Sequence, residues 1–350
     1  MTLASSFVAA LVAISVLLVV LTIATAGRKA LRAARDRRGA RVEAAVRPAL
    51  LAYLAEDEPD PTALEIASRA AGRSLEELST GLLTKLRGED RRALERLLAA
   101  HGVLERARKR TRRPSAVGRA RAAELLGAAA HEPALPELTM LLEDRDPDVR
   151  SAAARALGKL GDPAAVPALL AALEGRRTVP AGVVTMGLLH IGPTAAASLV
   201  DGLDSRYSPA ARAIAAELLG RLGGFQAADE LIGALRADPD PGVRAAAARA
   251  LGRMGVPRAV APLEAVLIEE QVPAVRYSTT WALGELGGTR GFAGLAAALR
   301  SGDHALARRA ADALVACGPS GRALLERTAE AGGPGAPEAR ETLGAVGAAR

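Results

Sequence analysis

Residues 149–161 read VRSAAARALGKLG, and the pattern returns as ARAIAAELLGRLG at 211–223, VRAAAARALGRMG at 243–255 and VRYSTTWALGELG at 275–287. The closing glycines are Gly161, Gly223, Gly255 and Gly287. Gly192 and Gly318 fall in the same frame, giving intervals of 31, 31, 32, 32 and 31 residues. One step back from Gly161 lands on Ala130, and a looser step beyond Gly318 reaches Gly347. A constant period of this length predicts a stack of one repeated supersecondary unit.

Each unit holds two amphipathic runs with apolar residues at helical spacing, as in PAAVPALLAALE at 163–174 before the next long run. The turn between runs is written Arg145-Asp146-Pro147-Asp148 or Asp238-Pro239-Asp240-Pro241. Aspartate caps the helix that follows, and proline suits its first turn. The closing glycine supplies a left-handed cap. One such hairpin cannot bury its apolar face alone, so neighbours must stack. Composition agrees: 50% of residues are hydrophobic and only 2% aromatic. Alanine-rich chains of this kind favour helix over strand. The fold class expected is all-α, an α-solenoid of stacked helical hairpins of about 31 residues.

Asp-Pro-x-Val-Arg (Asp146 to Arg150) and Ala-Leu-Gly-x-Leu-Gly (Ala156 to Gly161) recur at 238–255 and, less completely, at 272–287. These motifs resemble HEAT repeats, specifically the short HEAT-like type also found in phycobilisome lyases, over roughly residues 115–347. Arg150, Arg212, Arg244 and Arg276 lie eleven residues before their closing glycines, and Arg119 keeps that distance from Ala130. The resemblance implies that this arginine ladder is structural, each member pairing with a turn aspartate. Ala181 and Ala307 interrupt the ladder, and the unit at 178–192 also lacks the Asp-Pro turn. That unit is therefore expected to change the local curvature or to contact a partner.

The N-terminal region has another character. Phe7 to Ala26 is twenty residues without a charge, enough at about 1.5 Å rise per residue to cross the hydrocarbon core once. Arg28, Lys29, Arg32, Arg35, Arg37, Arg38 and Arg41 follow it. The positive-inside rule then predicts a single-pass protein of the cell membrane with a cytoplasmic solenoid, its basic segment attracted to anionic lipid. A cleaved signal peptide ending at Ala24-Thr25-Ala26 is the competing reading. The expected organisation is a transmembrane helix at 7–26, a basic segment at 27–41, divergent capping helices at 42–114, repeats at 115–330, and a flexible interruption with a frayed last helix at 331–350. Within 42–114, Ser74 and Glu77 form a capping box, and Asp90 to Ala100 reads as an amphipathic helix. A second basic cluster, Arg106, Arg108, Lys109, Arg110, Arg112 and Arg113, reads first as a solvated helix end or linker, with lipid, an acidic partner or nucleic acid as alternatives. Nucleic acid is disfavoured, because three Phe, three Tyr and one Trp cannot supply a run of stacking platforms.

Enzymatic chemistry finds little footing in these residues. HEAT-like repeats resembling deoxyhypusine hydroxylase bind iron through His-Glu pairs after the second-helix arginine, but the corresponding pairs here are Ser151-Ala152, Ala213-Ile214, Ala245-Ala246 and Tyr277-Ser278. His131-Glu132 lies in a turn, and His101, His190 and His304 stand singly, without zinc spacing. No phosphate loop or nucleophile elbow is present. The chain is expected to lack metal and cofactor and not to be an enzyme, with a secreted solenoid or a HEAT-repeat lyase or hydroxylase as alternatives. The expected role is a membrane-anchored scaffold for a protein partner such as an integral membrane enzyme, a transporter or a signalling protein. The resemblance implies that the second helix of each unit lines the concave face. Its outward positions are Ser151, Arg155 and Lys159, then Glu217 and Arg221, Arg249 and Arg253, and Tyr277, Trp281 and Glu285. Tyr277 and Trp281 share a helical face and suit an interface anchor, or else cover a neighbouring helix. Candidate partner-binding residues are Arg155, Arg249, Arg253, Tyr277, Trp281 and Glu285.

Overall fold

The computed structural model describes residues 79–83, 85, 86, 88–287 and 291–348. The expected membrane span at 7–26, the basic segment at 27–41 and the capping box at Ser74 and Glu77 lie outside the described residues. All regular structure among the described residues is helical. The chain divides into two compact units, the first ending at Arg106 and the second beginning at Ala107.

In the first unit, a helical turn at 79–83 precedes α1 (Gly88–Ala100), whose Leu94, Leu97 and Leu98 lie on one face and are buried. Helix α2 (Val103–Arg110) buries Val103, Leu104 and Ala107.

The second unit is two layers of helices. One layer contains α3 (Ala116–Ala129), α5 (Pro147–Leu160), α7 (Ala181–Ile191), α9 (Pro209–Leu222), α11 (Pro241–Arg253), α13 (Pro273–Leu286) and α15 (His304–Ala316). The other contains α4 (Leu135–Leu141), α6 (Val166–Ala171), α8 (Ala196–Asp201), α10 (Ala228–Ala237), α12 (Val260–Glu269), α14 (Phe292–Leu299) and α16 (Pro319–Ala331). Each second-layer helix from α4 to α14 packs on the first-layer helix that follows it, and α17 (Ala336–Ala348) closes the stack.

Local chemistry places these boundaries. Asp146 accepts hydrogen bonds from the Asp148 and Val149 amides, and Asp240 from those of Gly242 and Val243, capping α5 and α11 beside a first-turn proline. At the other end Gly161, Gly223 and Gly255 hold φ of 78°, 73° and 63°, a region where a side chain is strained. Ala130, which stands at the corresponding place, is forced to φ 53°.

Helix spacing is governed by a different glycine, three residues before the closing one. A Cβ on Gly252 would lie 2.7 Å from Ala282 Cα, and one on Gly158 would lie 2.6 Å from Gly187 Cα. Gly127, Gly220 and Gly284 face Ala156, Ala250 and Ala313 in the same way. In α7 this position is Leu189, and the facing position in α9 is Leu218. Two leucines cannot approach as a glycine and an alanine do, and α7 and α9 touch far less than other first-layer neighbours. Helix α7 also begins at Pro180 without a side-chain cap. The irregular unit is thus a break in helix spacing.

Two further features bear on the sequence reading. Ala181–Asp201 is apolar enough to span a membrane by composition, with a mean hydropathy of 1.6. It is broken at Gly192 (φ 79°, ψ −156°) into α7 and α8, and forms a repeat unit. The C-terminal helix expected to fray is instead packed: α17 buries Ala336 and Ala339. Gly335, just before it, permits close approach, since a Cβ there would come 2.3 Å from the Leu299 carbonyl oxygen.

Candidate partner-binding surface

The ladder arginines occupy the edge of the stack where turns meet. Arg119 donates from Nε and Nη2 to Asp144 at 2.7 Å each, and from Nη1 to the Arg113 and Pro114 carbonyls. Arg212 grips Asp238 through two bonds of 2.8 Å and the Tyr207 carbonyl at 2.7 Å. Arg244 pairs with Glu270 at 2.8 Å and with the Asp238 carbonyl. Each ties the turn before its helix to the acidic residue of the next turn. Arg150 meets carbonyls, those of Thr178, Asp144 and Arg145, because the irregular unit offers no acid. Arg276 reaches Asp303 at 3.9 Å. The Arg119 and Arg212 pairs are buried. Burial pushes the Asp144 and Asp238 carboxyls up, but the hydrogen bonds from their arginines, a backbone amide bond and the nearby guanidinium charges together hold both below the usual carboxylate range.

The second basic cluster is partly engaged. Arg108 donates to Glu137 at 2.8 Å; burial pushes that carboxyl up, but the Arg108 bond, a backbone hydrogen bond and the charges of Arg108 and Arg112 together lower it.

A separate set of side chains projects from the first layer. The position six residues before each closing glycine is Arg155, Met186, Glu217, Arg249, Trp281 and Asp312 on α5 to α15. One turn later stand Lys159, His190, Arg221, Arg253 and Glu285 on α5 to α13. The fixed period carries these residues into adjacent rows. Glu217 receives Arg253 Nη1 at 2.7 Å, Arg221 Nε at 3.2 Å and Arg249 Nε at 3.5 Å. Arg249 is held from its far side by Ser278 Oγ at 3.0 Å. Burial pushes the Glu217 carboxyl up, but the charges of Arg253 and Arg249 and the hydrogen bonds from Arg221 and Arg253 together bring it below the usual range.

Arg253 stacks over the Trp281 ring at 5.6 Å, and Arg309 lies over Tyr277 at 4.6 Å. The two aromatics of α13 are thus flanked by guanidiniums from α11 and α15. Trp281 rests one edge above Gly252, where a Cβ would be 3.3 Å from its ring, yet stays 36% exposed. It therefore both packs on its neighbour and faces outward.

Among the sequence candidates, Arg249, Arg253, Tyr277 and Trp281 come together in one cluster. Glu285 is exposed one turn beyond Trp281. Arg155 lies apart on α5, facing Glu124 at 3.9 Å. Sequence reasoning passed over Met186, 53% exposed, although counting back from Gly192 places it in the row. It also passed over Arg309 and Ser278, which sit one residue off that register. Among the described residues no three His, Cys, Asp or Glu side chains are grouped to hold a metal.

HEAT repeats match residues 104–186 and 196–284, and the PBS lyase HEAT-like repeat matches 275–301. This is a HEAT-repeat protein. The gap between the two longer matches falls on the α7–α8 irregularity. No curated protein matches the chain at a significant level. Among solved structures, a mutant of Kap121p is 13% identical, with a TM-score of 0.50, over 84% of this chain and 41% of that one. Human deoxyhypusine hydroxylase is 21% identical, TM-score 0.32, over 71% and 98%. The CpcE–CpcF complex of phycocyanin lyase from Nostoc sp. PCC7120 is 21% identical, TM-score 0.27, over 69% and 95%. At such identities the likeness is one of fold.

One expectation is corrected by these matches. The sequence reading that the chain is not an enzyme rested on missing His-Glu pairs and motifs. The repeat over 275–301 nonetheless matches the PBS lyase HEAT-like repeat, whose description names an enzyme. The physical reason is that motif residues build the hairpin, while side chains between motifs are free to vary into a site.

Proposed function

We propose that this HEAT-repeat protein is a membrane-anchored adaptor that recruits or braces a protein partner. On this reading residues 7–26 cross the cell membrane once, Arg28, Lys29, Arg32, Arg35, Arg37, Arg38 and Arg41 keep the solenoid on the cytoplasmic side, and the partner is an integral membrane enzyme, a transporter or a signalling protein. Anchoring confines both proteins to the bilayer and raises their effective concentration.

The observation that carries the binding role is the row of outward side chains that passes through Trp281, with Tyr277 one turn before it, each aromatic under an arginine. Stacked repeats offer extended surfaces of this kind, and partly exposed aromatics beside arginine are frequent interface anchors. Crosslinking pulldown of the full chain from native membranes, compared with Tyr277→Ala/Trp281→Ala kept folded by circular dichroism, tests it. Capture by wild type and loss of about thirtyfold in affinity by the variant is expected, from about 2 kcal/mol for an anchor. An identical partner set for both proteins would refute the assigned surface. A captured partner chemically altered by wild type alone would add catalysis to binding.

A further inference from the structure

The centre of the outward row has an imbalance of charge that points to its ligand. Three guanidiniums, those of Arg221, Arg249 and Arg253, converge on the single carboxylate of Glu217. One carboxylate cannot neutralise three cations, so the cluster keeps an excess of two positive charges, while each guanidinium has five N–H donors to satisfy. Glu217 and Ser278 hold Arg249 from both sides, so the donors are positioned before any ligand arrives.

Beside this cluster lies apolar surface. The Trp281 ring is bounded by Arg253, and Tyr277, four residues earlier on the same helix, by Arg309. From α11 to α15 the side chains therefore alternate cation, aromatic, cation. At about 8–10 Å between packed helices, the axes of α11 and α15 are roughly 16–20 Å apart, and both guanidiniums lean inward over the rings of α13. An extended chain at about 3.3 Å per residue covers the strip within about five or six residues.

We infer that this strip binds an extended acidic segment of a partner protein, with carboxylates on Arg253 and Arg309 and an apolar side chain between them on Trp281. The inference rests on the adaptor reading and names the chemistry of its partner. Glu285, one turn past Trp281, and Asp312, next to Trp281 in the row, are carboxylates such a segment must pass, so removal of Glu285 strengthens binding.

Trp281 is the sole tryptophan of the sequence, so its fluorescence reports on the strip alone. The full chain is titrated with the peptide Glu-Glu-Ala-Leu-Leu-Ala-Glu-Glu and with its Lys-for-Glu counterpart. The expected result is a saturable change with the acidic peptide only, weakened about tenfold or more in Arg253→Gln/Arg309→Gln and by high salt, and strengthened in Glu285→Gln. Circular dichroism shows whether each variant folds, and Arg221→Gln serves in place of one that does not. Absence of saturation, or equal response of the double variant, overturns the inference. Saturation by inorganic phosphate alone, or by phosphatidylserine vesicles in preference to the peptide, assigns the strip to free anions or to lipid and overturns it too. Loss of pulldown partners in the aromatic variant alongside a silent acidic peptide would sink this inference while sparing the adaptor reading.

Discussion

Arg212 and Arg253, both on first-layer helices, each meet a carboxylate, and burial separates what they do. The Arg212–Asp238 pair is about 5% and 8% exposed, whereas Arg253 is 31% exposed at its contact with Glu217. Removing one member of a buried pair strands the other charge, so Arg212→Ala should destabilise the fold by about 3–5 kcal/mol in urea denaturation. Arg253→Gln should cost less than about 1 kcal/mol. Acid acts on the same buried pairs. Asp144, Asp238 and Glu270 are lowered in the folded state, so their contribution is complete above the ordinary carboxylate range and fades as pH falls through and below about 4. Helicity followed at decreasing pH should therefore fall at higher pH for Asp238→Asn than for wild type. His304 works in the opposite sense. Its hydrogen bond to Glu338 raises the imidazole, so the tie between α15 and α17 is complete below about pH 6.5 and is lost as pH rises through the raised value. Hydrogen exchange of α17 should accelerate with pH beyond its intrinsic dependence, and His304→Ala should abolish that excess.

At the scale of elements, two glycines of similar sequence context differ in what surrounds them. A Cβ at Gly252 would strike the Ala282 backbone, whereas one at Gly233, inside α10, meets nothing within 4 Å. Gly252→Ala should therefore cost about 1–3 kcal/mol by forcing α11 and α13 apart. Gly233→Ala should stabilise by about 0.5–1 kcal/mol through helix propensity. Thermal melts of the two variants give opposite shifts if this is right. The hairpin itself was legible from the Asp-Pro turns and closing glycines, since caps act locally. The packed α17 was not, because a glycine-rich stretch looks the same in sequence whether it allows motion or close approach to Leu299.

In the second unit as a whole, stability is a sum over neighbouring repeats, and the α7–α9 interface is the weak link. Leu189 and Leu218 replace the small residues that bring every other described first-layer pair together. Native-state hydrogen exchange should find amides of 187–195 less protected than those of α5 or α11, and uniform protection along the stack would refute the weak link. The sequence by itself determined the repeat, its phase, the arginine ladder and the rows of outward residues, because a helical hairpin stacked at constant period converts sequence spacing directly into spatial rows. Only the tertiary structure decided which members of those rows touch. The approach of Arg249 and Arg253 to Glu217 and the guanidiniums over Trp281 and Tyr277 depend on side chains from helices about thirty residues apart. Their reach and direction follow from helix spacing, which the small residues between the helices control.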